Sequence, residues 1–206
     1  VIAKPVKYSA AWVPYDERSW DQASALAGEW IEDEAQRLSL PVVLLTNTFS
    51  GQADSGPLAD LVRRGAIHTT RRSRSVSSGT GPVFAYVPHV RELAYSIQLA
   101  RNTALCVVET PSFPVRGWAS AVGAVDLLTG EITPPPAAEL KDELDHLVFN
   151  GNNGYGDVYG KRDAKRSLGK LSASADYDPD FIVGYLAGSG ISENGLTNIQ
   201  KLIGKL

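Results

Sequence analysis

Residues 83–108 constrain the fold more than any other stretch of the chain. Val83-Phe84-Ala85-Tyr86-Val87 is an apolar run of strand length. Val90–Arg101 then places Val90, Leu93, Ala94, Ile97 and Ala100 on one helical face, and Asn102 closes it. Ala104–Val108 is a second apolar run. Strand, helix and strand joined by short links is the pattern of a βαβ unit in a parallel sheet. Continuous apolar runs, in contrast to alternating ones, mark strands buried on both faces. Val42-Val43-Leu44-Leu45 has the same character and adds another such strand.

The neighbouring segments extend this pattern. Ala11-Trp12-Val13 reads as a short strand before Pro14. Trp20–Leu38 reads as a helix, with Ser19 as its N-cap and Trp20, Ala23, Ala27, Trp30, Ile31, Ala35 and Leu38 at three- and four-residue steps. Pro57–Arg64 is a short helix that opens on proline and stops at Gly65. Ala66–Thr70 is a short strand. The following run from Arg71 to Gly81 is too rich in Arg, Ser and Gly to pack and is expected to be an exposed, mobile loop. A helix is expected from Pro114 or Val115, with Trp118, Val122, Val125 and Leu128 inward.

Pro134-Pro135-Pro136 marks the expected boundary, because consecutive prolines form an extended spacer. Beyond it the pattern is helical throughout: Ala137–Phe149, Asp163–Leu171, Pro179–Ala187 and Ser192–Leu206. The expected organisation is therefore an α/β core over 1–133 and a Pro-rich linker over 134–136, then an all-helical C-terminal region over 137–206. The core is a short, mostly parallel, Rossmann-like sheet flanked by helices.

A chain of 206 residues can bury about 70% of its unfolded surface and needs no disulfide or metal to fold. Its single cysteine, Cys106, lies in the apolar run Ala104–Val108 and reads as a core residue. One cysteine and three histidines do not supply a His/Cys zinc site. No apolar run approaches the ~18–20 residues of a membrane span. The N-terminal residues lack the apolar core of a signal peptide, so the expected location is the cytoplasm.

In an open parallel sheet, the loops at the carboxyl ends of the strands form the ligand crevice. This position nominates Thr46, Asn47 and Ser50 after one strand, His89 and Arg91 after the second, and Glu109 and Thr110 after the third. His89 and Glu109 form a candidate acid–base pair. The others are candidate ligand-binding groups for a nucleotide-like or phosphorylated molecule, with the helix N-terminus at Val90 as an anion site. The same residue types also cap helices and turn the chain. The phosphate loop of P-loop NTPases, the dinucleotide fingerprint and the nucleophile elbow are absent, and no cofactor is indicated.

The net charge of −3 conceals two cationic segments. Arg71, Arg72 and Arg74 sit among serines, and arginine forks match phosphate geometry. Lys161, Arg162, Lys165, Arg166 and Lys170 recur along one helix. Asn150–Asp157 before it is a dense turn former, expected to join two helices. At the end of the chain, helix, Gly190-Ile191 turn and helix resemble the helix–hairpin–helix element, which implies phosphate binding at the turn. Ser192 stands where a second glycine is usual there, and Leu196 where a small residue is usual. The leading expectation is a nucleic-acid-associated accessory protein that grips the phosphate backbone through these basic segments without strong catalysis. One alternative is an enzyme or sensor for a small phosphorylated ligand at the strand ends. Another is an interaction protein, with Trp12, Tyr15 and Trp20 as a homodimer surface.

Overall fold

A computed structural model describes residues 7–73, 75–174 and 177–206. The chain divides into two compact units. One is an α/β unit formed by residues up to Pro114 together with Ala124–Ile132. The other is a helical unit that includes Val115–Gly123 and Thr133–Leu206.

The α/β unit is a Rossmann-like parallel sheet flanked by helices. Its strands are β1 (Ser9–Val13), β2 (Val43–Thr46), β3 (Ile67–Thr70), β4 (Val83–Tyr86), β5 (Ala104–Val108) and β6 (Val125–Asp126). They are hydrogen-bonded in the order β3-β2-β4-β5-β1-β6, and every pairing is parallel. Each residue of β2, β4 and β5 is buried, as their unbroken apolarity requires. Cys106 is fully buried in β5, where desolvation pushes its thiol far above the ordinary range.

Helix α1 (Trp20–Leu38) begins with a capping box. Ser19 Oγ accepts from Gln22 N, and Gln22 Oε1 accepts from Ser19 N. Its buried face is Ala23, Ser24, Ala27, Ile31 and Ala35, small enough to lie close to the sheet. Helices α2 (Gly56–Arg63) and α3 (Val90–Leu99) complete the α/β unit. At the entrance to β4, Gly81 has no alternative, because a Cβ there would lie 1.8 Å from the Pro41 carbonyl oxygen.

One expectation is corrected here, and one loop gains local hydrogen bonds. The helix over 114–128 is shorter: α4 (Arg116–Val122) stops at Gly123, which adopts φ +64° and donates to Ala119 O. Val125 then enters β6 beside Ala11 of β1, and Val125 also bridges to Ile132. The spacing of Trp118, Val122 and Val125 suits a helix, but the glycine stop and a β-branched residue after it prevail. The loop after β3 is also not free. Ser73 Oγ donates to Thr70 O at 2.9 Å, Ser78 Oγ to Gln98 O at 2.5 Å, and Gly79 N to Leu99 O at 2.8 Å. Its serines bond to the backbone nearby, so a polar composition does not entail mobility.

The helical unit contains α4, α5 (Ala138–Asn150), α6 (Val158–Ser172), α7 (Pro179–Gly188) and α8 (Glu193–Ile203). It begins before the proline run, since α4 groups with it and Ser120 Oγ donates to Pro134 O at 2.7 Å. Helices α4 and α7 cross at glycine: a Cβ on Gly117 would stand 2.0 Å from the Phe181 carbonyl oxygen. Helices α5 and α6 form one hairpin, α7 and α8 another. The turn of the first takes Gly154 and Tyr155 through the left-handed region, φ +67° and +54°. Tyr155 is fully buried and its hydroxyl donates to Leu147 O at 2.7 Å. The two hairpins are joined at their turns, where Asn198 Nδ2 donates to Gly154 O at 2.8 Å.

Candidate nucleic-acid interface

The register of the sheet aligns the nominated strand ends. Thr46 lies opposite Thr70, Tyr86 opposite Val108, and Val108 opposite Val13. Asn47, Val87 and Glu109 follow immediately. Thr46 is buried, and its Oγ1 donates to Thr48 O at 2.6 Å. It therefore accepts from His68 Nε2 at 2.7 Å, which assigns the proton on that ring to Nε2. Burial lowers the pKa of His68. Asn47 Nδ2 donates to Val87 O at 2.9 Å, while its own Oδ1 is buried with no hydrogen-bond partner among the described residues. Val87 adopts φ +44°, a strained conformation for a β-branched residue. Its N–H donates to Val108 O at 3.1 Å.

The two members of the candidate acid–base pair have different surroundings. Glu109 is buried, and its Oε2 accepts from the backbone N–H of Tyr15 at 2.8 Å. His89 is exposed at the N-cap of α3, where its side chain does not cap the helix. Among the described residues no hydrogen bond joins the two. Ser50 Oγ lies 3.1 Å from Thr48 Oγ1, and Thr110 Oγ1 lies 3.1 Å from Ser112 Oγ, so both take part in local turns. Arg91 is exposed on the first turn of α3. Tyr86, Trp20 and Tyr15 form a row of rings, with centroids 6.2 and 5.9 Å apart, while Trp12 is in the core.

The first basic segment is divided in its roles. Arg71 Nε donates to Glu92 Oε1 at 3.1 Å, on the first turn of α3. Arg72 is exposed. Arg74 lies outside the described residues.

The second basic segment builds a site. Lys161, Arg162 and Lys165 of α6 face Asn198, Lys201 and Leu202 of α8, with Lys205 just beyond it. Together with Tyr155 and Val158 they line a groove of about 610 Å³. Lys161 and Lys165 are one helical turn apart on α6, while Lys201 lies in the last turn of α8 and Lys205 follows its end. Among the described residues no carboxylate lines the groove. Lys165, Lys201 and Lys205 have no ion pair among the described residues. Arg162 Nε lies 3.2 Å from Asp163 Oδ1, and its guanidinium carbon is 5.5 Å from the centroid of the Tyr159 ring.

Two other cations of the segment are placed elsewhere. Arg166 is exposed but outside the groove lining, and Lys170 Nζ donates to Glu143. At the N-terminus of α6, Asp157 Oδ1 accepts from Gly160 N at 2.7 Å, and that bond lowers its pKa. The helix end is therefore closed by a carboxylate of its own. The Gly190-Ile191 turn does join two helices, yet its amides are used within the hairpin. Ser189, Gly190 and Ile191 donate to Tyr185 O, Ala187 O and Leu186 O, and Ser192 Oγ caps α8 through Gly195 N. The cations collect between α6 and α8 instead.

Sequence reasoning found the α6 half of this groove and missed Asn198, Lys201, Leu202 and Lys205. The signal available was the second lysine pair at a four-residue spacing, on a helix whose buried face is Gly195, Leu196, Ile199 and Leu202. Among the described residues no cluster of three metal-ligating side chains occurs, and no helix is long and apolar enough to cross a membrane. Compared with known proteins, the chain matches no family model, no curated protein and no solved structure.

Proposed function

We propose that this protein is a nucleic-acid-associated accessory protein that holds the phosphate backbone in the groove between α6 and α8, without strong catalysis. The observation that carries the reading is five cationic side chains around one groove with no carboxylate among its lining residues. Arg162 has Asp163 beside it, but Lys165, Lys201 and Lys205 have no ion pair among the described residues, and an anionic partner offsets the cost of gathering them. A polymer of phosphates suits the arrangement better than a single anion, because the five cations are distributed over α6, the last turn of α8 and the residues after it.

Binding of this kind releases counterions, so affinity falls with salt. For five phosphate contacts the loss between 50 and 200 mM salt is about 100-fold. Fluorescence anisotropy of a labelled oligonucleotide measures it. The double variant Lys165→Glu/Lys201→Glu should weaken binding at least tenfold and flatten the salt dependence, with an unchanged circular dichroism spectrum, since both side chains are exposed. Affinity that is equal at the two salt concentrations would overturn the proposal.

A further inference from the structure

We infer that the groove accepts single-stranded nucleic acid in preference to duplex. This rests on the phosphate-binding reading above and adds what the bases do there. The groove is not lined by cations alone. Leu202 and the buried Tyr155 lie among its lining residues, and Val158, also in the lining, is 79% exposed. Tyr159, next to Val158 in sequence but outside the lining, is 70% exposed, and its ring centroid lies 5.5 Å from the guanidinium carbon of Arg162, which does line the groove.

A duplex presents phosphates and sugars outward and keeps its bases stacked inside. It satisfies the lysines and leaves the apolar lining and the Tyr159 ring unused. A single strand carries the same phosphates on a flexible backbone and can turn a base outward. Exposed aromatic rings then serve as stacking platforms, and they tolerate any base because every base has a π-face. An arginine against the ring adds a cation–π contribution. A volume of about 610 Å³ lies within the range of small-molecule pockets, which suits a base and its sugar. Cations and apolar side chains in the lining of one groove thus match the two kinds of surface that one unpaired nucleotide offers.

The test compares fluorescein-labelled oligo(dT) of 20 nucleotides with a duplex of equal length, by anisotropy at 100 mM salt. The single strand should bind at least tenfold more tightly. Tyr159→Ala should weaken oligo(dT) about tenfold and leave the duplex unchanged, while Tyr159→Phe keeps both affinities. Tyr159 is exposed, so circular dichroism of both variants should match the parent. Equal affinity for duplex and single strand, or no effect of Tyr159→Ala on oligo(dT), overturns this inference while the phosphate-binding reading stands. Absence of binding to either nucleic acid overturns both, as does tighter binding to anionic phospholipid vesicles than to oligo(dT).

Discussion

At the carboxyl edge of the sheet, Thr46 bonds to His68, Glu109 holds the Tyr15 backbone and Arg71 pairs with Glu92. Between α6 and α8, Lys165, Lys201 and Lys205 have no ion pair among the described residues. Both regions collect polar side chains, but they use them differently. At the sheet edge these polar groups are bonded to other parts of the same unit and hold it in place. In the helical groove the charges repel one another, and the hairpin turns bring them together. A polar residue in a loop is therefore weak evidence of function until its partners are known. A charge cluster without partners says more, because folding gains nothing from it.

The contrast implies two regions with separate sources of stability. Phe84→Ala, in the centre of the sheet, should cost about 3–5 kcal/mol, and Leu168→Ala, buried in α6, about 2–5 kcal/mol. Each should lower a different thermal transition by calorimetry. If both variants shift one shared transition equally, the units are energetically a single body and the comparison fails. Smaller effects should appear at the charges. Arg71→Ala removes a largely buried ion pair and should destabilise by about 1 kcal/mol, whereas Lys201→Ala relieves repulsion and should stabilise by a few tenths of a kcal/mol. Urea midpoints with unchanged slopes would report both. Opposite signs sharpen the comparison, and a loss of stability in both variants breaks it.

The smallest expected effect is in pH. Burial lowers the pKa of His68 below that of the unfolded chain, near 6.5. Between the two values the unfolded state binds more protons, so stability is complete above pH about 6.5 and declines as pH falls toward the folded value. His68→Gln keeps a donor for Thr46 and removes the titration. Its urea midpoint should therefore change less between pH 7.5 and 5.5 than that of the parent. Identical changes would show that His68 does not link protonation to folding.

How much of this could be read in advance depends on whether the signal was local. The parallel sheet was legible because β2, β4 and β5 are unbroken apolar runs, and their carboxyl ends lie in register as that reading requires. The strand β6 was not, since Val125 continues a helical spacing that only Gly123 interrupts. Val87 reads as the last residue of a strand, yet its positive φ depends on bonds from Asn47 and to Val108, both distant in sequence. The groove was half legible. Lys161, Arg162 and Lys165 stand out within one helix, but Lys201 and Lys205 gain meaning only when Asn198 ties α8 to Gly154.

The paired lysines also bear on kinetics. At physiological salt, fields are screened over about 8 Å. Beyond that distance the chain's charges, which sum to −3, exert little pull on a polyanion. Inside it, the polyanion meets the groove. Approach is then not accelerated by long-range attraction, in contrast to strongly basic proteins, whose encounters are steered from afar. The difference between a weak and a tight strand must reside in departure. On the proposed reading, the groove would set how long a strand stays and not how soon it arrives.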